Sequence, residues 1–350
     1  MKIAPIVLEM RRRGIPQFRV HTGQHYDPQM STVFFEDLGM PEPDIFLGVG
    51  SGSHAVQTAG ILTAFEKVCM QNNFSLVIVG GDVNSTIACA LVAAKLGIPV
   101  AHVEAGLRSF DRSMPEEINR ILTDHLSELL FTTEETANAN LRQEGIAAEF
   151  IHFVGNCMVD SLLKHLDLAQ SLSPWQTFNF EPGKYALLTL HRPSNVDDQK
   201  NLTDLMRIIS KFSKKIPVIF PVHPRTRKRL AQYEIPVAAS VMICDPLPYL
   251  TFLGLMTSAR FVLTDSGGIQ EETTVLNVPC LTLRPNTERP ITISLGTNQV
   301  IGTDPDVILR TVEEILHGKR AVVQKPPLWD GGAAVRVVDI IEKWSNSRDL

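Results

Sequence analysis

A glycine-containing turn at the end of an apolar run carries the strongest chemical signal in the sequence. The segment Thr264–Glu272 reads Thr-Asp-Ser-Gly-Gly-Ile-Gln-Glu-Glu, so Ser266, Gly267 and Gly268 would connect a strand to a helix. The N–H groups at a helix start attract an anion, and glycines let a phosphate come close. Glu272, about one helical turn further on, is placed to bind a sugar hydroxyl. The plainer interpretation is a turn in which Ser266 caps the helix.

Two histidine–arginine pairs follow apolar runs in the same half of the chain. They are His191-Arg192 and His223-Pro224-Arg225. Both residue types supply positive charge and hydrogen-bond donors to a diphosphate. Each histidine alone is more simply explained as the hydrogen-bonded end of a strand. Together with the glycine turn, the two pairs favour a phosphate-binding site.

Carboxylates in the first half of the chain could divide the roles of general acid and general base. Asp82 follows a pair of glycines, where it could also cap a helix, and Glu104 ends an apolar run. Glu116 and Glu117 follow Pro115 at a predicted helix start, where any helix favours these residue types. Glu104 is the hardest to explain structurally, because burying a carboxylate costs free energy. A metal site is the weaker alternative, since no zinc-ligand spacing occurs.

Alternating strands and helices would position these residues. Continuous apolar runs alternate with helical patterns, which indicates parallel βαβ units. In open α/β sheets, ligands bind outside the carboxyl ends of the strands. The predicted helices cover 2–13, 54–71, 85–96 and 332–344, and the predicted strands cover 18–21, 75–79, 98–103, 185–190, 217–222, 241–244, 261–264 and 280–283.

The length of 350 residues suggests two domains, at roughly 150 residues per domain. The strand–helix pattern weakens over 155–182, which predicts an inter-domain linker there. We predict an α/β fold of two Rossmann-like domains. Residues 1–160, completed by a C-terminal helix at 332–350, form the domain with the carboxylates, and residues 161–331 form the domain with the phosphate-binding residues.

The composition excludes several classes of protein. Hydrophobic residues make up 44% of the chain and charged residues 20%, a balance that excludes wholesale disorder. A formal net charge of −5 gives no field that would favour nucleic acid or an anionic membrane. No apolar run approaches the roughly 20 residues of a membrane span. The five scattered cysteines indicate a reduced, cytoplasmic protein.

Seven motifs cover nearly the whole chain. They are Thr22-Gly-Gln-His25, Gly81-Asp82, His102-Val-Glu-Ala-Gly-Leu-Arg108, Pro115-Glu-Glu-Ile-Asn-Arg120, Leu190-His-Arg192, Asp265-Ser-Gly-Gly-Ile-Gln-Glu-Glu272 and Thr287-Glu-Arg-Pro290. In this order, the chain resembles the non-hydrolysing UDP-N-acetylglucosamine 2-epimerases. The strings around Glu104 and Gly268 are the most specific.

The resemblance implies a glycosyltransferase-B fold, in which two Rossmann-like domains face each other across a cleft that holds the nucleotide sugar. It implies reversible 2-epimerisation of UDP-N-acetylglucosamine to UDP-N-acetylmannosamine, for cell-surface polysaccharide synthesis. No carbonyl makes the C2 proton acidic, so the family eliminates UDP to give 2-acetamidoglucal and then adds UDP back. The expected partners are the UDP-sugar and a second copy in a homodimer. No nucleic acid, membrane, cofactor or metal is expected.

Residue roles follow from motif position. The catalytic residues implied are Asp82, Glu104, Glu116 and His191, with acid and base unassigned. Glu272 would bind the uridine ribose. Gln24 and His25 match part of a regulatory UDP-N-acetylglucosamine site of bacterial members. The implied substrate-binding residues are Lys2, Arg120, His191, Ser266, Gly267, Gly268 and Glu272.

The chain departs from the family at its start. Family members begin with a strand and a Gly-Thr-Arg-Pro-Glu turn before a Lys-x-Ala-Pro helix, whereas this chain starts at Met1-Lys2. Without that first strand, which is usually interior, we expect a gap in the N-terminal sheet. We also expect a 350-residue form to be unstable or inactive, with a natural chain roughly a dozen residues longer. A second departure is Ile291, where the family often has a glutamate.

Three other functions compete with the epimerase. A hydrolysing epimerase would release UDP and free N-acetylmannosamine. A glycosyltransferase of the same architecture would need an acceptor, and gives no reason for the string around Glu104. A truncated, non-catalytic nucleotide-sugar binding protein would bind UDP without exchanging the C2 proton.

Overall fold

The structure is a computed structural model that describes residues 1–24, 37–319 and 323–348. The chain divides into two compact units. Unit 1 contains Met1–Lys164 and Pro327–Leu350, and unit 2 contains His165–Pro326. Each unit combines helices with parallel strands, so the predicted α/β class is confirmed.

Unit 1 begins and ends with a helix. Its elements are α1 (Ala4–Arg12), β1 (Val20–His21), β2 (Ile45–Phe46), α2 (His54–Gln71), β3 (Val77–Gly80), α3 (Asn84–Lys95), β4 (Val100–Ala105), α4 (Pro115–Leu126), β5 (Leu129–Thr132), α5 (Glu135–Gln143), a 3₁₀ turn (Ala148–Phe150), β6 (Ile151–Phe153) and the C-terminal α14 (Ala333–Asn346).

Unit 2 alternates strands and helices along its length. Its elements are a 3₁₀ turn (Pro174–Phe178), β7 (Ala186–Thr189), α7 (Pro193–Val196), α8 (Gln199–Phe212), β8 (Val218–Pro221), α9 (Pro224–Gln232), β9 (Val241–Cys244), α10 (Tyr249–Thr257), β10 (Val262–Thr264), α11 (Gly267–Leu276), β11 (Cys280–Thr282), α12 (Ile291–Ser294), β12 (Asn298–Val300) and α13 (Pro305–Leu316).

The helix α6 (Cys157–Ser171) contains the sequence boundary between the units. The boundary lies inside the predicted linker over 155–182, but much of that segment is helical, so its predicted loose character is wrong. Buried positions at Met158, Leu162, His165 and Ala169 recur every three or four residues, which is the spacing of one helix face. The glycine and prolines that flank this segment obscured its period.

The sheet of unit 2 has six parallel strands in the order β12-β11-β10-β7-β8-β9. Its central strands β7 and β10 are in register from Leu187 and Val262 to Thr189 and Thr264. Their apolar side chains are fully buried. The carboxyl ends of these two strands therefore lie side by side, and the loops after them meet.

The sheet of unit 1 is divided. Strands β3-β4-β5-β6 form one parallel sheet, and β1-β2 form a separate parallel pair. A cavity of about 380 Å³ is lined by Val20 and His21 of β1 and by the residues of β3. The expected gap in the N-terminal sheet corresponds to this cavity.

Helix α14 packs on helix α1 within unit 1. Ile6 and Met10 share an apolar cluster with Val337 and Ile341. The carboxylate of Asp160 accepts the first N–H groups of α14, from Ala333 at 3.2 Å and from Ala334 at 2.7 Å. Within the described ranges, no helix has both the length and the apolar character needed to cross a membrane.

Candidate active site

Glu104 lies on an irregularity of the buried strand β4. The pairing of β4 with β5 shifts register between Val103 and Ala105, and Glu104 has a φ of 72°. A glutamate in this left-handed region is uncommon, and such strained residues cluster at functional sites. Its side chain is 7% exposed and forms an ion pair with Lys2. The bulge thus aims a buried carboxylate away from the regular alternation of the strand.

Asp82 follows β3 and is held by a cation from helix α4. Arg120, which is 2% exposed, pairs with both Asp82 and Glu117. The Asp82 carboxylate keeps 22% exposure. The amide of Asn119 donates to the Asp82 carbonyl at 2.9 Å. Helix α4 therefore positions both the backbone and the side chain of Asp82.

Glu116 and Glu117 differ in environment although they are neighbours on α4. Glu117 is buried, and it accepts the N–H groups of Ser109 at 3.0 Å and Phe110 at 2.8 Å. Glu116 is only half-buried, because successive helical residues point about 100° apart. Glu117 holds the segment after β4, a role that sequence reasoning did not assign. The catalytic role of Glu116 stays a prediction.

His102 belongs to the motif around Glu104, in which sequence reasoning assigned it no role. It is fully buried in β4, with Nδ1 2.6 Å from an Asp124 oxygen and Nε2 2.8 Å from the Gly81 carbonyl oxygen. Asp124 also accepts the Gly106 N–H at 3.1 Å and pairs with Arg108 at 2.7 Å. Burial opposes its charge, yet His102 and Arg108 hold the pKa of the Asp124 carboxyl below its usual range.

In unit 2, Asp265 organises the loop that carries His191. Its buried carboxylate lies 2.8 Å from His191 Nδ1 and accepts the backbone N–H groups of His191 at 3.1 Å and Arg192 at 3.0 Å. Burial opposes its charge, but the bonds from His191 and Arg192 hold the pKa of Asp265 below its usual range. The His191 side chain is 41% exposed. It is thereby oriented while remaining open to a ligand.

The glycine turn opens helix α11 beside this loop. Ser266 is the N-cap residue, and its own N–H donates to the Thr264 hydroxyl at 2.9 Å. A Cβ added to Gly267 would lie 2.6 Å from Glu288 Oε1 and closer still to Arg289. A side chain at Gly267 would therefore displace the buried Arg289–Glu288 ion pair, a packing constraint that sequence reasoning did not foresee. Gly268 and Ser266 are half-buried.

Glu272 lies on α11 with its carboxyl almost fully buried. The Tyr249 hydroxyl donates to Glu272 Oε1 at 3.2 Å. Burial raises the pKa of Glu272 to about 8. A hydroxyl both donates and accepts, so this carboxyl can hydrogen-bond a ribose hydroxyl in either protonation state. Two buried ion pairs also lie in unit 2. Arg289 pairs with Glu271 at 3.0 Å, and Arg284 pairs with Glu288 at 2.8 Å.

The second histidine–arginine pair has structural roles. The His223 ring accepts the Arg225 N–H at 3.2 Å and caps helix α9. The Arg225 guanidinium is engaged by Asp197. The plainer interpretation of His223 as a hydrogen-bonded strand end agrees with these contacts.

Of the predicted regulatory residues Gln24 and His25, only Gln24 lies in the part of the chain that the structure describes. Gln24 is buried, and its side-chain oxygen accepts the Ser85 N–H at 2.9 Å and the Ser85 hydroxyl at 2.6 Å. It thus binds the first turn of helix α3. His25 lies outside the described residues, so a regulatory site stays a prediction.

The predicted residues gather within each unit. In unit 1, Lys2 pairs with Glu104, and its ammonium also lies beside Gly81, next to the Asp82–Arg120 pair. In unit 2, Asp265 joins His191 to the glycine turn by hydrogen bonds and chain continuity. Across the described ranges, no group of three His, Cys, Asp or Glu residues is arranged to hold a metal ion.

The fold and the two groups of candidate residues are typical of α/β enzymes that act on phosphorylated ligands. One unit offers positioned carboxylates, which can act as general acids and bases. The other offers an oriented histidine beside the start of a helix at the carboxyl end of a parallel sheet, which suits a phosphorylated ligand.

Comparison with known proteins shows which family of α/β enzymes the chain belongs to. A family model described as UDP-N-acetylglucosamine 2-epimerase matches residues 9–342. UDP-N-acetylglucosamine 2-epimerase of Methanococcus maripaludis is 44% identical over 97% of this chain and 94% of its own length. UDP-2,3-diacetamido-2,3-dideoxy-D-glucuronate 2-epimerase of Pseudomonas aeruginosa is 38% identical, over 95% and 93%.

A solved structure agrees with these relatives. The crystal structure of the Methanocaldococcus jannaschii UDP-GlcNAc 2-epimerase, in complex with UDP-GlcNAc and UDP, matches with a TM-score of 0.92 and 43% identity. The match covers 98% of this chain and 96% of that one. The chain therefore belongs to the UDP-N-acetylglucosamine 2-epimerase family of isomerases, as the resemblance implied.

Proposed function

We propose that the protein interconverts UDP-N-acetylglucosamine and UDP-N-acetylmannosamine by elimination and readdition of UDP. A base removes the C2 proton, the C1–O bond to UDP breaks with its electron pair leaving on the phosphate, and 2-acetamidoglucal forms. Readdition of UDP to C1 and return of a proton to the opposite face of C2 completes the cycle. The observation that carries the proposal is Glu104, a strained and buried carboxylate paired with Lys2.

The two units have different roles in this proposal. Asp82, Glu104 and Glu116 of unit 1 handle the C2 proton and the leaving-group proton, with Lys2 and Arg120 beside them. In unit 2, His191 and the turn at Ser266–Gly268 bind the diphosphate, and Glu272 binds the ribose. The orientation of His191 by Asp265 supports this assignment.

We extend the proposal to the setting of the enzyme. Cys69, Cys89, Cys157 and Cys280 are buried free thiols, and Cys244 is a half-buried one. Free thiols are typical of a reducing compartment, which supports a cytoplasmic enzyme. The family resemblance supports a homodimer that supplies UDP-N-acetylmannosamine for cell-surface polysaccharide.

Deuterium exchange at C2 tests the proposal. The protein is incubated with UDP-N-acetylglucosamine in deuterated water, and proton NMR follows C2 and the products. The expected result is deuterium at C2 in a mixture of the two UDP-sugars. Free N-acetylmannosamine with stoichiometric UDP would instead show a hydrolysing epimerase. UDP binding by calorimetry without exchange would show a non-catalytic binding protein.

One alternative substrate is suggested by the comparisons. The 38% identity to the Pseudomonas aeruginosa relative favours testing UDP-2,3-diacetamido-2,3-dideoxy-D-glucuronate in parallel. We expect kcat/KM to be higher for UDP-N-acetylglucosamine. The reverse order would reassign the sugar while leaving the C2 chemistry in place.

A further inference from the structure

His102 lies at the centre of a hydrogen-bonded network that no catalytic role explains. Its ring is fully buried in β4 and lies between two oxygen atoms. Nε2 lies 2.8 Å from the Gly81 carbonyl oxygen, and Nδ1 lies 2.6 Å from Asp124 Oδ1. The first oxygen belongs to the residue before Asp82, and the second to helix α4.

Counting donors determines the protonation of the ring. A carbonyl oxygen can only accept, so Nε2 must carry a hydrogen. Oδ2 of Asp124 accepts from the Gly106 N–H at 3.1 Å and pairs with Arg108 at 2.7 Å, while Oδ1 faces His102 Nδ1. A carboxylate paired with a buried guanidinium is ionised, so Oδ1 can only accept from Nδ1. Both ring nitrogens are then donors, and the ring is an imidazolium.

The charges around the ring agree with this count. Arg108 lies between Asp124 and Glu144, with its Nη2 2.6 Å from Glu144 Oε2. Negative and positive groups therefore alternate from Glu144 through Arg108 and Asp124 to His102. With an imidazolium the series is neutral, whereas a neutral ring would leave the fully buried Asp124 to share a single cation, Arg108, with the partly exposed Glu144.

The network holds Glu104 from both sides. His102 precedes Glu104 by two residues, and Gly106 follows it by two. Both are bound to the same carboxylate, that of Asp124. A strained φ persists only where the surroundings determine it, and this double attachment does so. Nε2 of His102 binds the Gly81 carbonyl and so fixes the peptide group that joins Gly81 to Asp82.

We propose that His102 is a positioning residue: a buried imidazolium that joins the Asp82 turn and the Glu104 bulge to helix α4. The proposal rests on the proposed function for the roles of Asp82 and Glu104. It goes beyond that function by naming the group that sets the relative placement of the two carboxylates. Glutamine at this position could not replace both bonds, because only one end of its amide donates and the other end is an acceptor oxygen, whereas the two partners lie at different ring nitrogens.

Nitrogen-15 NMR of the histidine rings tests the protonation directly. The whole protein is labelled with ¹⁵N-histidine, and the His102 signals are identified by their loss in His102→Gln. An unperturbed histidine is about nine-tenths neutral at about pH 7.5, whereas His102 is expected to show two protonated nitrogens. Asp124→Asn should convert the same ring to the neutral form. A singly protonated His102 ring in the unaltered protein would overturn the proposal; if neither variant folds, the ring signals are assigned through their connection to the His102 backbone signals.

Kinetics test the positioning role. We expect His102→Gln to lower kcat about 10- to 100-fold, because displaced catalytic groups lose rate steeply. KM should stay within about threefold, since binding of UDP is assigned to unit 2. The matched control is His125→Gln on α4, which is exposed and should behave like the unaltered protein. An unchanged kcat in a folded His102→Gln would overturn the role.

The NMR readout needs no turnover. If the C2 exchange fails while His102 is doubly protonated, the proposed function is at fault. If exchange occurs and His102 is neutral, the positioning inference is at fault.

Discussion

The two sheets of the protein support their candidate residues in different ways. In unit 2, six strands are continuously paired, and Asp265 follows a strand that has partners on both sides. In unit 1, β3 pairs with β4 on one side and borders the cavity on the other. Asp82 follows this half-paired strand. Its position is set mainly by Arg120, Asn119 and the bond of His102 to Gly81.

The two units fix the positions of their candidate site residues by different means. A continuous sheet fixes the strand ends of unit 2 by backbone pairing and packing. Unit 1 relies more on buried ion pairs and charged hydrogen bonds, whose removal leaves uncompensated charge. Perturbations of single charged groups should therefore act on chemistry in unit 1 and on ligand binding or stability in unit 2.

The largest effect is expected for Glu104→Gln. The substitution keeps the shape but removes proton transfer, so kcat should fall about 10³-fold. UDP affinity, measured by calorimetry, should change less than about twofold because its contacts are assigned to unit 2. Glu149→Gln, at an exposed position of the same unit, is the control. Turnover close to normal in Glu104→Gln would remove Glu104 from the mechanism.

A pH dependence is expected next, in unit 2. Burial raises the pKa of Glu272 from its usual 4.5 to about 8. The folded state therefore binds this proton more tightly than the unfolded state. The stabilisation is complete below pH 4.5 and is lost as the pH rises to about 8.

Glu272→Gln isolates this contribution. Relative to the variant, the unaltered protein should lose about 1.4 kcal/mol of unfolding free energy per pH unit, or about 4 kcal/mol between about pH 5 and about pH 8. Hydrogen exchange of β7 under denaturant measures it for unit 2. A difference between the two proteins that stays constant from pH 5 to pH 8 would contradict the burial argument.

Amide exchange compares the sheets themselves. The N–H groups of Val77 and Gly81 donate to the β4 side at 2.9 and 3.0 Å. Alternate amides of a parallel strand point to opposite sides, so that of Ile78 points toward the cavity. We expect Ile78 to exchange about 30-fold faster than Leu187 of β7, whose N–H is bonded to Phe261 at 3.1 Å. Equal protection would mean that the cavity does not weaken unit 1.

The smallest effect is expected for Asp265→Asn. Loss of the charge weakens the bonds to His191 and Arg192, so UDP should bind about 10-fold more weakly by calorimetry. Asp245→Asn is the control, because the Asp245 side chain is 90% exposed. If Asp265→Asn binds UDP normally, Asp265 does not orient His191 for the ligand.

Local patterns predicted most of the elements. The helix at 54–71 and the strand at 241–244 match the structure to the residue, because their apolar period and flanking turns are local signals. Strands β2, β5, β6 and β12, which are two to four residues long, were not predicted. Helix α6 was missed because the glycine and prolines beside it were weighed above its own period.

The candidate residues show the same division. Motif order identified Asp82, Glu104, His191 and Glu272, and the structure places each at a strand end or in a buried ion pair or hydrogen bond. His102 within an apolar strand gave no distinguishing pattern. Its role depends on Asp124 and Gly81, each about twenty residues away in sequence.

By itself, the sequence determined the α/β class, the family and the residue types available for chemistry, because periodicity and motif spacing are properties of neighbouring residues. Only the tertiary structure decided that Glu117 is buried against a loop while Glu116 is half-buried, that a side chain at Gly267 would meet Arg289 and Glu288, and that the sheet of unit 1 borders a cavity. Those facts depend on contacts between distant segments, and local spacing carries no record of them.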